Sequence, residues 1–143
     1  MTIYEQIEER FRALSNDQWQ TNVPDVIRES GIKLDCYFED GDKVIIAEIY
    51  ATIGKAKSAK KRKLASDCFK MLYAEKLLSP KIVEKRFITV DDEVWRKEIE
   101  NIWQSKCLNA LGIKLEFYKI TPDEKERLTE AINKNKKSVK EMT

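Results

Sequence analysis

Apolar residues recur at helical spacing at Ile3, Ile7, Phe11 and Leu14, which predicts an amphipathic helix over residues 2–14. Ser15, Asn16 and Asp17 break it. Past Trp19, Asn22 is placed to cap a short second helix, with Pro24 in its first turn. Val23, Val26 and Ile27 would be its buried side and Gly31 its stop. The period then shortens. Gly31-Ile32-Lys33-Leu34-Asp35-Cys36-Tyr37-Phe38 and Lys43-Val44-Ile45-Ile46-Ala47-Glu48-Ile49-Tyr50 read as strands, joined by Glu39-Asp40-Gly41-Asp42, an Asp-Gly hairpin signal. They should pair antiparallel. Ile53-Gly54 ends the second strand, and a helix from Lys55 to about Lys76 turns Leu64, Ala65, Cys68, Met71 and Leu72 inward before Ser79-Pro80 closes it.

The last third alternates. Arg86–Val90 is a short strand. Asp91 or Asp92 caps a helix carrying Val94, Trp95, Ile99, Ile102, Trp103 and Leu108, which Gly112 stops. Ile113–Ile120 is a strand. Thr121-Pro122-Asp123-Glu124 starts a final helix, with the hydroxyl as cap and Glu124 at the capping-box position. Leu128, Ala131 and Ile132 face inward, and the Lys/Asn-rich end from about Lys134 is expected to fray. One α/β domain over residues 1–143 is the expected product: a mixed central sheet with helices on both faces.

Composition narrows the chemistry. Net charge is only +2, so the distribution carries more than the total. Lys55, Lys57, Lys60, Lys61, Arg62 and Lys63 form a run with no acid, and Lys134, Lys136, Lys137 and Lys140 form a second cluster. Such a run is either a polyanion site or a solvated face. The absence of histidine removes Ser-His and Cys-His nucleophile pairs and most zinc sites, leaving oxygen ligands for any metal. Cys36, Cys68 and Cys107 are far apart and read as unpaired core residues of a reducing compartment. With no apolar leader and no membrane-length stretch, a soluble cytoplasmic protein is expected.

Each early strand places one carboxylate in an apolar run: Asp35 and Glu48, with twelve residues between them around the turn. Carboxylates are rarely buried unless paired or bound to a metal. By parity the two would share a face, depending on register. Two carboxylates, a backbone carbonyl and waters make a magnesium or manganese site. The following helix, with Lys60 and Asp67 at one edge of its apolar stripe and Lys63 and Lys70 just past that edge, brings Lys60, Lys63 and Asp67 toward it.

Gly-Ile-Lys-Leu-Asp35, a hairpin, then Val-Ile-Ile-Ala-Glu48-Ile-Tyr50 resembles the PD-(D/E)XK, or restriction-endonuclease-like, nuclease superfamily over roughly residues 1–90. The resemblance implies a core of helix, three-stranded meander, helix and strand, with Trp19–Thr21 or a neighbouring segment as the first strand. It implies Asp35 and Glu48 as metal-binding acids, the carbonyl of Ala47 or Ile49 as a further ligand, and Glu5, Glu8 or Glu9 as a first-helix acid. The family's lysine belongs two residues after Glu48, where this chain has Tyr50. Lys60 or Lys63 would have to replace it.

The nuclease reading therefore assigns catalysis to Asp35, Glu48, Lys60 and Lys63, metal binding to Asp35, Glu48 and Ile49, and the nucleic-acid backbone, expected to be DNA, to Lys55 through Lys63. Cutting both strands of a duplex takes two sites, so a homodimer is among the expected assemblies. Its main alternative is a catalytically inactive nucleic-acid-binding or assembly module on the same fold. Plainer readings stand beside these. Asp35 could be an edge-strand residue facing water, Glu48 a salt bridge to a helix lysine, Asp67 and Lys70 a surface pair, and Trp95 and Trp103 core or interface residues.

Overall fold

A computed structural model describes residues 1–15 and 18–142, with side chains to residue 136. Asn16 and Asp17, expected to break the first helix, lie outside the described residues. The order is α1 (Ile3–Leu14), α2 (Asp25–Ser30), β1 (Cys36–Asp40), β2 (Lys43–Tyr50), α3 (Ser58–Leu78), β3 (Ile82–Val90), α4 (Glu93–Ile99), α5 (Trp103–Ala110), β4 (Ile113–Tyr118) and α6 (Pro122–Met142). The four described strands form one sheet in the order β1-β2-β3-β4. β1 pairs antiparallel with β2, while β2–β3 and β3–β4 are parallel. The hairpin loop is Gly41-Asp42, and its positive φ of 62° falls on Gly41, the position that type II′ hairpins assign to glycine.

Both parallel crossovers step across the sheet in the same direction. Right-handed connections then place their helices on one face. Residues from α2, α3, α4 and α5 accordingly pack with Tyr37, Val44, Ile46 and Phe87. The opposite strand parity, Cys36, Ala47, Ile49 and Ile88, faces Phe11 of α1 and Trp19, and Ile3 and Ile7 of α1 pack with Leu128 of α6. Helices thus cover both faces, and β2 is buried along nearly its whole length. No described helix is long and apolar enough to cross a membrane. Cys36, Cys68 and Cys107 are free thiols.

Several expectations are corrected. β1 begins at Cys36 rather than Gly31, because backbone groups before it bond to side chains. The segment 19–21 forms no strand, so the three-stranded meander is missing among the described residues. Gln20 instead blocks the edge of β1: its N–H donates to the Tyr37 carbonyl at 2.7 Å and its amide bonds both backbone groups of Glu39. Pro24, not Asn22, is the N-cap residue of α2, and Val26 is exposed. The run from Asp92 to Leu108 is two helices. Ser105 Oγ donates to the carbonyls of Ile99, at the end of α4, and of Ile102, the N-cap residue of α5, and so bridges the break. Trp95 is fully buried, whereas Trp103 is exposed. The α6 start holds as a capping box: Glu124 N–H donates to Thr121 Oγ1 at 3.1 Å and Thr121 N–H to Glu124 Oε1 at 2.8 Å. α6 continues to Met142 through the segment expected to fray, and its side chains from residue 137 lie outside the described residues.

Asp92 ties three elements together. Its Oδ2 accepts from Trp95 N–H at 3.0 Å, capping α4, and from Gly54 N–H at 3.1 Å, and Lys125 of α6 lies 3.2 Å from Oδ1. Burial alone would raise its pKa, but these donors outweigh it and hold the carboxyl below its usual range. Asp92→Ala removes a cap and leaves the Gly54 donor unpaired, so it should destabilise the protein by about 2 kcal/mol in urea unfolding at neutral pH. Asp92→Asn, which keeps an acceptor, should cost less.

Candidate functional site

The β1–β2 register pairs Cys36 with Ala47. Carried one residue further, it sets Asp35 opposite Glu48. At this rung the backbone ladder is replaced by side chains. Asp35 N–H donates to Glu48 Oε2 at 3.1 Å, and Ile49 N–H donates to Asp35 Oδ2 at 2.8 Å. Backbone pairing stops where the two carboxyls enter, and this is why β1 starts late. In an extended strand the N–H and C=O of one residue point the same way. The Ile49 carbonyl therefore faces the same edge as its N–H, toward Asp35.

α3 supplies the opposing charge. Lys63, Asp67 and Lys70 stand at i, i+4 and i+7, one stripe of the helix. The Lys70 ammonium forms an ion pair with Glu48 Oε1, outside hydrogen-bond geometry, and donates to the Lys33 carbonyl at 3.1 Å. Asp67 is buried, 3.0 Å from Lys63 and 3.9 Å from Lys70, and its Oδ2 is buried with no hydrogen-bond partner. Lys63 also lies 5.6 Å from the centroid of the Tyr50 ring. From α1, Arg12 donates to the Asp35 carbonyl at 3.3 Å, and Glu8 lies within electrostatic reach of Asp35 and Lys63.

The balance of charge is uneven. Four carboxyls, Glu8, Asp35, Glu48 and Asp67, face three cations, Arg12, Lys63 and Lys70. Burial, then contact with Asp35, pushes Glu48 up to about 8 against the pull of Lys70. Burial also raises Asp67 and Glu8, and Asp35 adds to both. Burial alone would lower Lys70, but contact with Glu48 raises it. The two shifts of this pair pull against each other, since a protonated Glu48 would release Lys70. The upward direction for Glu48 prevails, because its side chain is wholly buried while that of Lys70 keeps partial access to water.

Of the residues singled out from sequence, Asp35, Glu48, Ile49, Lys63 and Glu8 converge here. Lys60 does not. Its ammonium donates to the Ile53 carbonyl and lies 5.3 Å from the Trp95 ring centroid. Glu5 and Glu9 are exposed. Asp67 is buried rather than part of a surface pair. Lys70 received no catalytic role from sequence, although its i+7 spacing from Lys63 was the available signal. Glu48 makes the salt bridge to a helix lysine that its plain reading anticipates, but Asp35 and Asp67 leave that bridge short of positive charge. In the basic run at the start of α3, Lys55, Lys57 and Arg62 are exposed while Lys60, Lys61 and Lys63 are half-buried, and Lys57 stands beside Lys136 of α6, whose pKa it lowers.

Asp35, Glu48 and the Ile49 carbonyl offer oxygen donors only, the chemistry of magnesium or manganese. The orphaned Asp67 oxygen and the surplus carboxyl fit an added cation. Among the described residues no group of three or more His, Cys, Asp or Glu side chains is arranged to hold a metal. Magnesium commonly takes one or two carboxylates and completes its shell with water and phosphate. No protein-family model matches the chain, and no curated protein or solved structure matches it.

The raised Glu48 has a signed consequence. Its folded pKa of about 8 exceeds the unfolded 4.5, so its contribution to stability is full below 4.5 and is lost as pH rises through about 8. Over that window the wild-type unfolding free energy should fall relative to Glu48→Gln by on the order of 5 kcal/mol in metal-free buffer. Parallel stability curves for the two proteins would show that Glu48 is ionised throughout.

Proposed function

We propose that the chain is a metal-dependent nuclease, hydrolysing nucleic-acid phosphodiesters on a restriction-endonuclease-like core. One observation carries this reading: Asp35 and Glu48 meet where their side chains replace the backbone ladder, under lysines of the following helix. The order α1, β1–β2 hairpin, α3 and parallel β3 agrees with that core, short of one meander strand.

In this reading Asp35, Glu48 and the Ile49 carbonyl hold a magnesium or manganese ion. When bound, the ion acidifies a water and neutralises charge on the phosphoryl group. Glu48 must give up its proton for that role. Lys70 must leave Glu48 and turn its ammonium to the phosphate, and Lys63 lies one helical step away to do the same. Tyr50 cannot substitute for a lysine. Burial, then Asp67, pushes its phenol to about 12, so it stays neutral. Lys55, Lys57, Lys61 and Arg62 hold the flanking backbone. Six cations between Lys55 and Lys63 cluster at the N-terminal end of a helix with no acid in its first turn, against the helix dipole. A polyanion offsets that cost.

The contact between Lys70 and Glu48 also favours a second reading. An ammonium already sits where a metal would neutralise the carboxyl, so the same surface could bind nucleic acid without cutting it. Cleavage assays separate the two. Magnesium-dependent nicking should fall at least about a hundredfold in Glu48→Ala and by a smaller factor in Lys70→Met. Cleavage by Glu48→Ala at the wild-type rate removes the nuclease proposal. Salt-sensitive binding without turnover supports the binding module.

Metal affinity should follow the same proton. With Glu48 protonated below about 8, manganese binding should tighten about tenfold per pH unit up to that point and release one proton. Calorimetry in buffers of different ionisation heat reads that proton directly.

A further inference from the structure

Two aromatic rings next to the site are turned to solvent. Phe69 is 76% exposed and Tyr73 52% exposed, both on α3. They are four residues apart and so share one face of the helix. With Gly31, Ile32, Lys33, Ser66 and Lys70 they line a shallow groove of about 630 Å³. Lys70 belongs to both places: its stem lines this groove while its ammonium reaches Glu48 and the Lys33 carbonyl. Lys33 is exposed at the groove. Up the same helix face, Arg62, Ser66, Phe69 and Tyr73 follow at steps of four, three and four, so the aromatic pair continues the basic run.

We propose that this groove is a base-stacking subsite for an unpaired polynucleotide strand, with Phe69 and Tyr73 under the bases and Lys33, Lys70 and Arg62 along the phosphates. The proposal rests on the nucleic-acid reading above and adds the strand state of the ligand. Exposed rings cost solvation that a core position would recover, and nothing in the fold needs them outside. Bases present apolar faces only when unpaired or at an end, whereas a duplex offers a continuous phosphate surface with its faces hidden. Adjacent rings flanked by cations suit the first ligand. Charge decides against a second copy of the chain as the occupant. Joining two such grooves would bring Lys33 and Lys70 of each copy against those of the other, with no acid among the lining residues to answer them.

The test is anisotropy titration of labelled oligo(dT) and oligo(U), and of a duplex of equal length, with the full chain in EDTA. Without divalent metal the readout is binding alone, whether or not the protein cleaves. Single strands should bind more tightly than duplex. Phe69→Ala and Tyr73→Ala should each weaken single-strand binding about tenfold and leave duplex binding within about twofold, while Phe69→Trp keeps wild-type affinity. Both positions are exposed, so circular dichroism should show native folding for each variant. Single-strand binding unchanged by both alanine variants overturns the subsite, as does equal loss on duplex. Sedimentation decides the remaining competitor: a dimer that Phe69→Ala dissociates, with strand affinity unaltered, makes this face a self-association surface. Failure of the subsite leaves metal-dependent cleavage of duplex standing, and failure of cleavage leaves the strand titration interpretable.

Discussion

The structure is built around the cost of keeping a carboxyl inside a strand that is covered on both faces. Glu48 lies in β2 between Ala47 and Ile49, both packed against the side of the sheet opposite α3. An unpaired charge there would cost far more than one domain can lose, so the surroundings must donate hydrogen bonds, supply countercharge or leave a proton in place. All three occur. The Asp35 N–H serves Oε2, Lys70 answers Oε1, and the pKa moves toward the neutral form. Each response shapes something nearby. β1 gives up its first rungs, the Lys33 carbonyl becomes a Lys70 acceptor, and α3 must hold its lysine stripe over the end of β2. A purely structural strand would have achieved the same packing with an aliphatic residue at position 48.

Legibility in the sequence follows how local the cause is. The limits of β2, the Gly41 turn and the Thr121–Glu124 box depend on neighbours in sequence, and the pattern shows them. The late start of β1 depends on a side chain thirteen residues away, which no alternation can reveal. The division of α4 from α5 depends on Ser105 reaching back to Ile99, in a run whose apolar spacing reads as continuous. Asp35 and Glu48 were legible because a charge in an apolar strand is itself an anomaly. Lys60 and Lys70 were confused because both lie near the edge of the α3 stripe, and only tertiary packing decides which ammonium meets the carboxyls. Lys60 is drawn to the Ile53 carbonyl and the Trp95 ring at the other end.

Charge is arranged along α3 as a gradient of roles. Its N-terminal turns carry cations that the helix dipole disfavours, and the start of that run meets another cation, Lys136 of α6, instead of an acid. Its middle turns place Lys63, Asp67 and Lys70 over the carboxyls of the sheet. Phe69 and Tyr73 lie beside them on the outer face.

Tyr50 joins the end of β2 to both α3 and α4. Its ring meets Phe87 edge-on at 6.3 Å and Trp95 at 6.0 Å between centroids, and Lys63 lies above it at 5.6 Å. A lysine at position 50 would leave the edge contacts of two buried rings unmade and would place its ammonium close to that of Lys63. The aromatic residue instead fills the space between sheet and α4 and offers its ring face to a cation carried by α3. Tyr50 and Lys63 thus belong to one packing arrangement between the end of β2 and α3. Once Tyr50 occupies that volume, the only ammoniums placed by this fold to reach the Asp35–Glu48 rung among the described residues are Lys63 and Lys70.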